Sequence, residues 1–586
     1  MASKMFVIAA LMGGMVPASA LAQNVAPPTR EEVLRERLDD RLTTAGEGVN
    51  IEADLARAPC PLADPRYADV RFTLSGATFA GAELIEPGLL ENSWRGLVGQ
   101  ELAIASVCDI RDRASDLLRD AGYIASVQVP PQRIEDGIVR LDVIVARMTG
   151  LVVRGDPGPS GTMLQRYFEG LRAAPAFRRD DAERTLMLAR DIPGMDVRLS
   201  LARDVGPQAR PGDLIGIVDV IADRFQADMS IQNYSSSESG PFGGLLRAQV
   251  NGITGLADLT ELSIYSSQDP DEQVVLQGRH EFGIGSDGLR LGVNAVHAWT
   301  RPDVPGPNVF ESTTFIGTLY AAYPIVRRQT ENLFVTLGFD WIDQQIDFTG
   351  LDLSEDSLRV PFVRVETSSI DRPSAEGRGG YTIAEPRLAT WGALEMRHGV
   401  GGFGASDDCG PALLDCAAPG IIPLSRLDAD PSGLVLRAEG RIDFRPSPLW
   451  MVSFAPRVQY SPDALLPYEQ YSGGNFTVGR GYDPGEMIGD SGVGARTELA
   501  YGSLQPQTPG GVAWQGFGFW DTAAAWVNNA GGDPFTINSV GGGVRFNIAR
   551  RAFLEVAGAV PLERAPLELR RDDVRLLVNL SVNLGS

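Results

Sequence analysis

From Phe225 to its C-terminus the chain is a succession of short segments in which apolar and polar side chains alternate, separated by Gly, Pro, Asp and Asn, with no helical period. Leu289, Leu291, Val293 and Ala295 alternate with Arg290, Gly292 and Asn294; Leu576, Val578, Leu580, Val582 and Leu584 alternate with Asn579, Ser581 and Asn583. Successive side chains on a strand point to opposite faces, so each segment has one apolar and one polar face. A soluble sandwich and a membrane barrel both use such strands, but the barrel turns the apolar face to lipid and the polar face to a lumen. The N-terminal part of the chain sides with the barrel. Lys4, the apolar stretch Met5–Val16 and Ala20-Leu21-Ala22 before Gln23 form an export signal over residues 1–22. Past it, no apolar run reaches the roughly 18 residues of a spanning helix, so a membrane-resident form of this chain crosses as strands.

The segments number about sixteen, an even count, as closure of an antiparallel bacterial barrel requires. They are expected to start near residues 226, 243, 259, 273, 289, 313, 332, 358, 387, 433, 449, 492, 513, 537, 552 and 574. Two connections, roughly 399–432 and 460–491, are much longer than the others. With the first strand running outward from the periplasm, both follow odd-numbered strands and lie outside the cell, where such barrels carry their long loops.

Ahead of the barrel the texture is helical and mixed. Thr29-Arg30-Glu31-Glu32 is a capping-box pattern, in which threonine and glutamate each satisfy an orphan amide, so a helix should begin there. Leu34, Leu38 and Leu42 fall on one thin stripe of an otherwise charged rod, which suits either a solvated linker helix or a helix docked inside something polar. Residues 43–68, with Gly46, Gly48, Pro59, Pro61 and Pro65, read as linker. Two sets in the order β-α-α-β-β follow. The first has strands near 70–74, 124–129 and 139–145 and helices near 83–97 and 103–121; the second has helices near 162–171 and 180–191. The expected plan is a signal peptide over 1–22, helix and linker over 23–69, small modules over 70–147 and 148–224, and a barrel over 225–586.

A net charge of −23 and pI near 4.7 exclude nucleic acid as a partner, since phosphate binding needs clustered cations. Four cysteines in an exported chain point to two disulfides rather than to zinc. Cys409 and Cys416 are close in sequence and would close a loop, leaving Cys60 to pair with Cys108 by elimination; the alternative is that they stay reduced. Gly489-Asp490-Ser491-Gly492 copies the string around a trypsin-like nucleophile, but His280, His297 and His398 stand in no matching context. No catalytic residue, metal site or cofactor is expected. Gly541–Gly543 lacks the strand-turn-helix setting of a dinucleotide site.

Two strings carry a family resemblance. Gly122-Tyr123, then Pro130-Pro131-Gln132-Arg133-Ile134-Glu135-Asp136-Gly137, then Val139–Val145, resembles the first periplasmic (POTRA) module of two-partner secretion transporters, the haemolysin secretion/activation family. The proline pair forces an extended approach and Asp136-Gly137 suits a hairpin turn. Val478-Gly479-Arg480-Gly481-Tyr482 is similar to the Val-Arg-Gly-Phe/Tyr loop motif of the Omp85 superfamily, with an extra glycine and with tyrosine as the aromatic. The superfamily's acidic partner on the inner wall corresponds to Asp521 in Gly516-Phe517-Gly518-Phe519-Trp520-Asp521. The resemblance implies a gated barrel in outer-membrane lipid, assembled by the barrel assembly machinery and expected as a monomer. It would bind an unfolded exoprotein in the periplasm and secrete it. Arg480 would pair with Asp521, and the helix of Leu34, Leu38 and Leu42 would plug the pore. The alternatives are an insertase of the same superfamily, which generally carries a different number of modules, and a passive porin, which carries none. The ending Asn583-Leu584-Gly585-Ser586 departs from the usual terminal aromatic of barrel proteins.

Overall fold

The computed structural model describes residues 29–34, 60, 62, 64–303, 309–410, 413–529, 531–566 and 574–585. The export signal, most of the linker, and Leu38 and Leu42 of the leucine stripe lie outside the described residues. Sixteen strands, running from Phe225–Gln232 to Arg575–Asn583, close into one antiparallel barrel. Closure follows from the solvent: lipid offers no hydrogen bonds, so an open edge inside the membrane would leave a row of amides and carbonyls unsatisfied. The last strand pairs with the first over Asn579–Asn583 and Asp228–Gln232, in five residue pairs.

The expected strand starts hold to within a few residues except for the eighth, Leu351–Ile370, which begins well before 358. Asp352, Glu355 and Asp356 make its start read as a loop. Here the sixth to eighth strands (Phe310–Arg327, Glu331–Phe348, Leu351–Ile370) extend beyond their neighbours, where charged side chains meet water rather than lipid. The ninth, Leu388–His398, pairs only with Phe362–Ile370 of the eighth. The free upper edge of the eighth is covered by the 399–433 connection: Val400 N–H donates to Arg359 O at 2.9 Å, Ser406 N–H to Ser357 O at 2.8 Å, and Glu355 N–H to Pro423 O at 3.0 Å. Both long connections leave the ends of odd-numbered strands, away from the periplasmic modules. One periplasmic connection, 371–387, is longer than a tight turn and holds the short helix Arg372–Ala375, capped by Asp371.

Outward positions carry the lipid contact. Trp450, Tyr501 and Trp514 cluster near the periplasmic rim in tilted and edge-on contacts, with ring centroids 5.0 and 6.3 Å apart, and Trp299, Trp341, Tyr460 and Trp526 stand exposed toward the outer rim. Two aromatic bands are what the two water–lipid boundaries favour.

The periplasmic modules share one sheet plan. In the first, Ile138–Val145 is central, parallel to Gly76–Ala80 and antiparallel to Ala125–Gln128; in the second, Asp213–Ala222 is central between Arg147–Arg154 and Met195–Arg203. The second has both expected helices, Gly161–Ala173 and Arg179–Arg190. The first does not. Its expected helix over 83–97 is replaced by two single 3-10 turns, Leu90–Ser93 and Arg95–Leu97, and only Ser106–Asp120 is an α-helix. Pro87 disfavours helix in the residue before it, and Gly88 sits at φ +83°, so the apolar period there cannot be threaded on one helix. Cys60 bonds to Cys108 and Cys409 to Cys416. The first bond ties the linker to that remaining helix; the second closes a small ring in the outer connection.

The second module is docked on the barrel. Arg327, at the end of the sixth strand, makes a two-pronged pair with Asp191 at 2.8 and 2.6 Å, and Arg184 donates to Pro324 O at 3.0 Å. Two-pronged pairs fix direction as well as distance. Asp191→Ala is therefore expected to loosen this joint. Amide exchange across Arg179–Arg190 should quicken while the barrel stays heat-modifiable on gels, and unchanged exchange would show that the pair does not hold the joint.

Candidate functional site

The 460–491 connection does not extend into solvent. It turns back into the lumen, and its residues from Leu465 to Tyr482 are almost all buried. A two-stranded hairpin, Tyr471–Gly473 with Met487–Gly489, stiffens it. At its tip Gly479 adopts φ +117°, a conformation that favours glycine, and so lets the extra residue of the motif turn the chain. Gly481 lies so close to the wall that a Cβ there would meet Ser539 Cβ at 2.8 Å and Pro561 N at 2.9 Å. Val478 packs with Tyr471, Met487, Ala523 and Ile537, and the Tyr482 hydroxyl lies 2.8 Å from Asn538 O and 3.0 Å from Glu563 O.

These contacts place Arg480 against the wall. Its Nε and Nη2 donate to the two oxygens of Asp521 at 2.9 and 2.8 Å, and its backbone N–H donates to the same carboxylate at 3.0 Å. Asp521 is fully buried on the thirteenth strand, Val512–Trp526. Nη1 of Arg480 donates to Glu498 at 3.1 Å, and the guanidinium lies 3.6 Å from the centre of the Phe519 ring. The pairing is thus part of a longer ladder. Glu498, on Ser491–Ser503, also accepts from Arg545 Nη2 at 3.0 Å; Arg545 donates to Glu555 at 2.7 Å; Tyr234 Oη donates to Glu555 at 3.0 Å. The sequence indicated Arg480 and Asp521 but missed Glu498, Arg545, Glu555 and Tyr234. Each of the three charged ones is an inward position in its strand's alternation, which is the signal available. Among 75 acidic residues that signal selects no pair.

The N-terminal helix, Arg30–Leu34, also lies in the lumen. Its expected cap forms: Thr29 N–H donates to Glu32 Oε2 at 2.9 Å and Glu32 N–H to Thr29 Oγ1 at 3.3 Å. Arg30 reaches Glu395 on the ninth strand at 3.5 Å. Glu31 pairs with Arg457 on the eleventh, Trp450–Tyr460, and accepts from Ser472 of the inward loop at 2.8 Å. Burial acts to raise the Glu31 carboxyl, but Arg457 and Arg30 outweigh it and hold the group down at about 2, so it stays ionised at neutral pH. Val33 is wholly buried, and Leu34 is partly so. A cavity of about 60 Å³ remains between the helix, Phe476 and the charged wall of Glu395, Arg437 and Arg457.

Pro130–Gly137 forms a hairpin occupied largely with itself. Gln132 exchanges two hydrogen bonds with the Arg140 backbone at 2.7 and 2.8 Å, and Asp136 accepts from Ile138 N–H at 3.0 Å and from Arg140 at 2.6 Å. The Ile138 amide and Arg140 keep the Asp136 carboxyl below its usual range. Gly137, at φ +71°, leaves no room for a Cβ beside Thr73 O and Ser75 Oγ. Pro130 and Pro131 lead into the hairpin. Tyr123 sits at the joint of the two modules, bridged to Arg178, whose guanidinium lies 5.1 Å from the ring centre. The protease-like string serves a different purpose. Asp490 accepts from Leu465 N–H at 2.9 Å, Arg426 at 2.6 Å and Asn528 N–H at 2.7 Å, joining three outer connections, while His280, His297 and His398 lie on barrel strands.

A closed sixteen-strand barrel with a clamped inward loop, preceded by two small modules, has the architecture of an outer-membrane transporter. Residues 72–145 match the ShlB-type POTRA domain, and residues 386–546 match the haemolysin secretion/activation protein ShlB/FhaC/HecB. The heme/hemopexin transporter protein HuxB of Haemophilus influenzae (strain 86-028NP) is 24% identical over 207 residues, an alignment spanning 34% of this chain and about a third (35%) of that protein. CdiB from Escherichia coli superposes with a TM-score of 0.72 at 16% identity, covering 98% of this chain and 100% of that one. CdiB from Acinetobacter baumannii gives 0.65 at 16%, covering 97% and 98%. These two are likenesses of fold. Two stretches of the chain, one in the first module and one in the barrel, thus match domain models of the haemolysin secretion/activation proteins.

Removing one partner of a fully buried ion pair typically costs ~3–5 kcal/mol, because the other charge is left without compensation. Asp521→Ala should therefore release the loop tip. Trypsin added to outer-membrane vesicles should then cut at Arg480, which is shielded in the parent; a tip that stays resistant would mean that Glu498 and Phe519 hold it unaided.

Proposed function

We propose that this protein exports a partner polypeptide: an unfolded exoprotein is captured in the periplasm and passes through the barrel, with no catalytic step. The observation that carries this reading is the Arg480–Asp521 clamp on a loop that fills the lumen. A loop tied by a few replaceable ion pairs can leave without unfolding the wall, whereas a passive pore has no need of one. The protein would act as a monomer assembled into the membrane by the barrel assembly machinery. Capture by strand addition is supported by the edges of the module sheets, where Gly76–Ala80 and Arg147–Arg154 each have one neighbour only. In the periplasm no nucleotide drives the step, so folding or retention of the partner outside supplies the direction. The domain plan of 70–147 and 148–224 as periplasmic modules and 225–586 as barrel belongs to the same proposal.

In this reading the helix beginning at Thr29 is the resting plug. Deleting residues 29–42 should raise conductance in planar bilayers, and Glu31→Ala, which unties it from Arg457, should do so in part; unchanged conductance in both would return the segment to linker status. Export itself is tested in the culture medium. A strain without the gene should lose a large exoprotein, and Arg480→Ala should reduce its secretion at least ~10-fold while the barrel remains inserted, given the cost of an uncompensated charge at the clamp. If no exoprotein disappears and other outer-membrane barrels assemble poorly, the protein is an insertase instead.

A further inference from the structure

Alternation predicts a polar inner wall, yet one sector of it is apolar. On the fifth strand, Leu289–Thr300, the inward positions change from Arg290 and Asn294 to Val296 and Ala298. Val275, Ile316, Ile342, Leu358 and Val360 of the neighbouring strands turn inward beside them and join one buried cluster. From the lower part of the eighth strand round to the eleventh stands the opposite chemistry: Arg364, Glu395, Arg437 and Arg457 line the cavity beside the N-terminal helix. The apolar sector is kept from water by segments that are not wall. Val33 and Leu34 of the helix, Leu466 and Tyr468 of the inward loop, and Leu424 and Ala429 of the outer connection lie on it.

We propose that this sector is a docking track for the apolar side chains of an extended polypeptide in transit, and that Val33 and Leu34 occupy it at rest as stand-ins. The proposal rests on the export reading above. The helix has the two-sidedness of its site, with Val33 on the apolar sector and Arg30 and Glu31 on the charged wall. An extended chain has the same property at a period of two residues. A segment with apolar residues at alternate positions lays them on the fourth to eighth strands and turns its polar residues to the arginines and glutamates of the charged wall. Exchange of plug for cargo then leaves little apolar surface bare, which is what makes the displacement reversible. The charged wall is equally prepared for the plug's departure. Glu395 keeps Arg364 and Arg437 at 3.3 and 3.4 Å, and Arg457 keeps the Ser472 carbonyl at 3.1 Å. The partner chemistry is thereby set: an unfolded chain of alternating apolar and polar residues, as strand-forming sequences are.

The test uses the full-length chain in planar bilayers, with the plug untied by Arg30→Ala and Glu31→Ala. Two short synthetic peptides of equal length and charge serve as probes. Both carry Asp and Arg at even positions; one has Val at every odd position and the other Asn. The Val peptide should halve the channel current at a concentration ~10-fold or more below that of the Asn peptide, the effect of burying a few methyl groups. That preference should vanish in a barrel carrying Ile316→Thr and Val360→Thr, whose folding is checked by heat-modifiability. Equal potency of the two peptides overturns the proposal, as does a preference that survives the substitutions. If the substituted barrel fails to fold, the comparison on the parent wall decides alone. The two readings fail separately: intact secretion with equal peptide potency removes only the track, whereas a gene deletion that costs no exoprotein removes the export reading whichever peptide binds.

Discussion

Inside a membrane every backbone amide and carbonyl must find its partner within the protein, and the sixteen-strand closure is how this chain meets that demand. Closure produces a lumen, and the lumen produces every later problem. Side chains at alternate positions are forced into it, and charged ones need partners there because water is scarce once the inward loop is in place. The ring closes through only five pairs between last and first strands, and the inward loop reaches this seam too. Asp483 pairs with Arg575 at the start of the last strand and lies 3.2 Å from Ser237 N–H beyond the first, while Asn233 brackets Val578 at 2.6 Å. Loop and wall therefore brace each other.

Much of the interior is held by ion pairs, beside the apolar clusters of the inward loop and of the fourth to eighth strands. Arg397 is fully buried between Asp340 at 2.7 Å and Glu469 at 2.7 Å, and Arg437 shares Glu469 at 3.0 Å. Buried pairs of this kind add little net stability because desolvation offsets their attraction. Their value is geometric: they fix the loop and the N-terminal helix in one arrangement. The apolar sector on the fourth to eighth strands has a different character, and the N-terminal helix, the inward loop and the outer connection cover it.

The alternation of Leu289 to Ala295, fifteen of the sixteen strand starts and the two long outer connections were legible because they depend on side-chain period and turn residues, which are local. The cap at Thr29 and Glu32 was legible for the same reason, being a contact between residues three apart. Two readings went wrong where local pattern met its surroundings. Residues 83–97 have a helical apolar period that Pro87 and Gly88 interrupt, so packing of the first module draws on two single turns instead. The start of the eighth strand looks like a loop because its charges lie above the lipid, where strand pairing with the outer connection survives in water.

Sequence by itself determined the alternation of the barrel strands and the capped start of the N-terminal helix, and resemblance to a known loop motif made Arg480 and Asp521 candidates for each other. Tertiary structure alone decided the rest of the ladder through Glu498, Arg545 and Glu555, the gathering of three outer connections on Asp490, and the apolar sector under Val33. The reason is distance along the chain. Asp490 meets Arg426 across 64 residues and Glu31 meets Arg457 across 426, and no period or turn signal encodes which inward side chains a closed ring brings face to face.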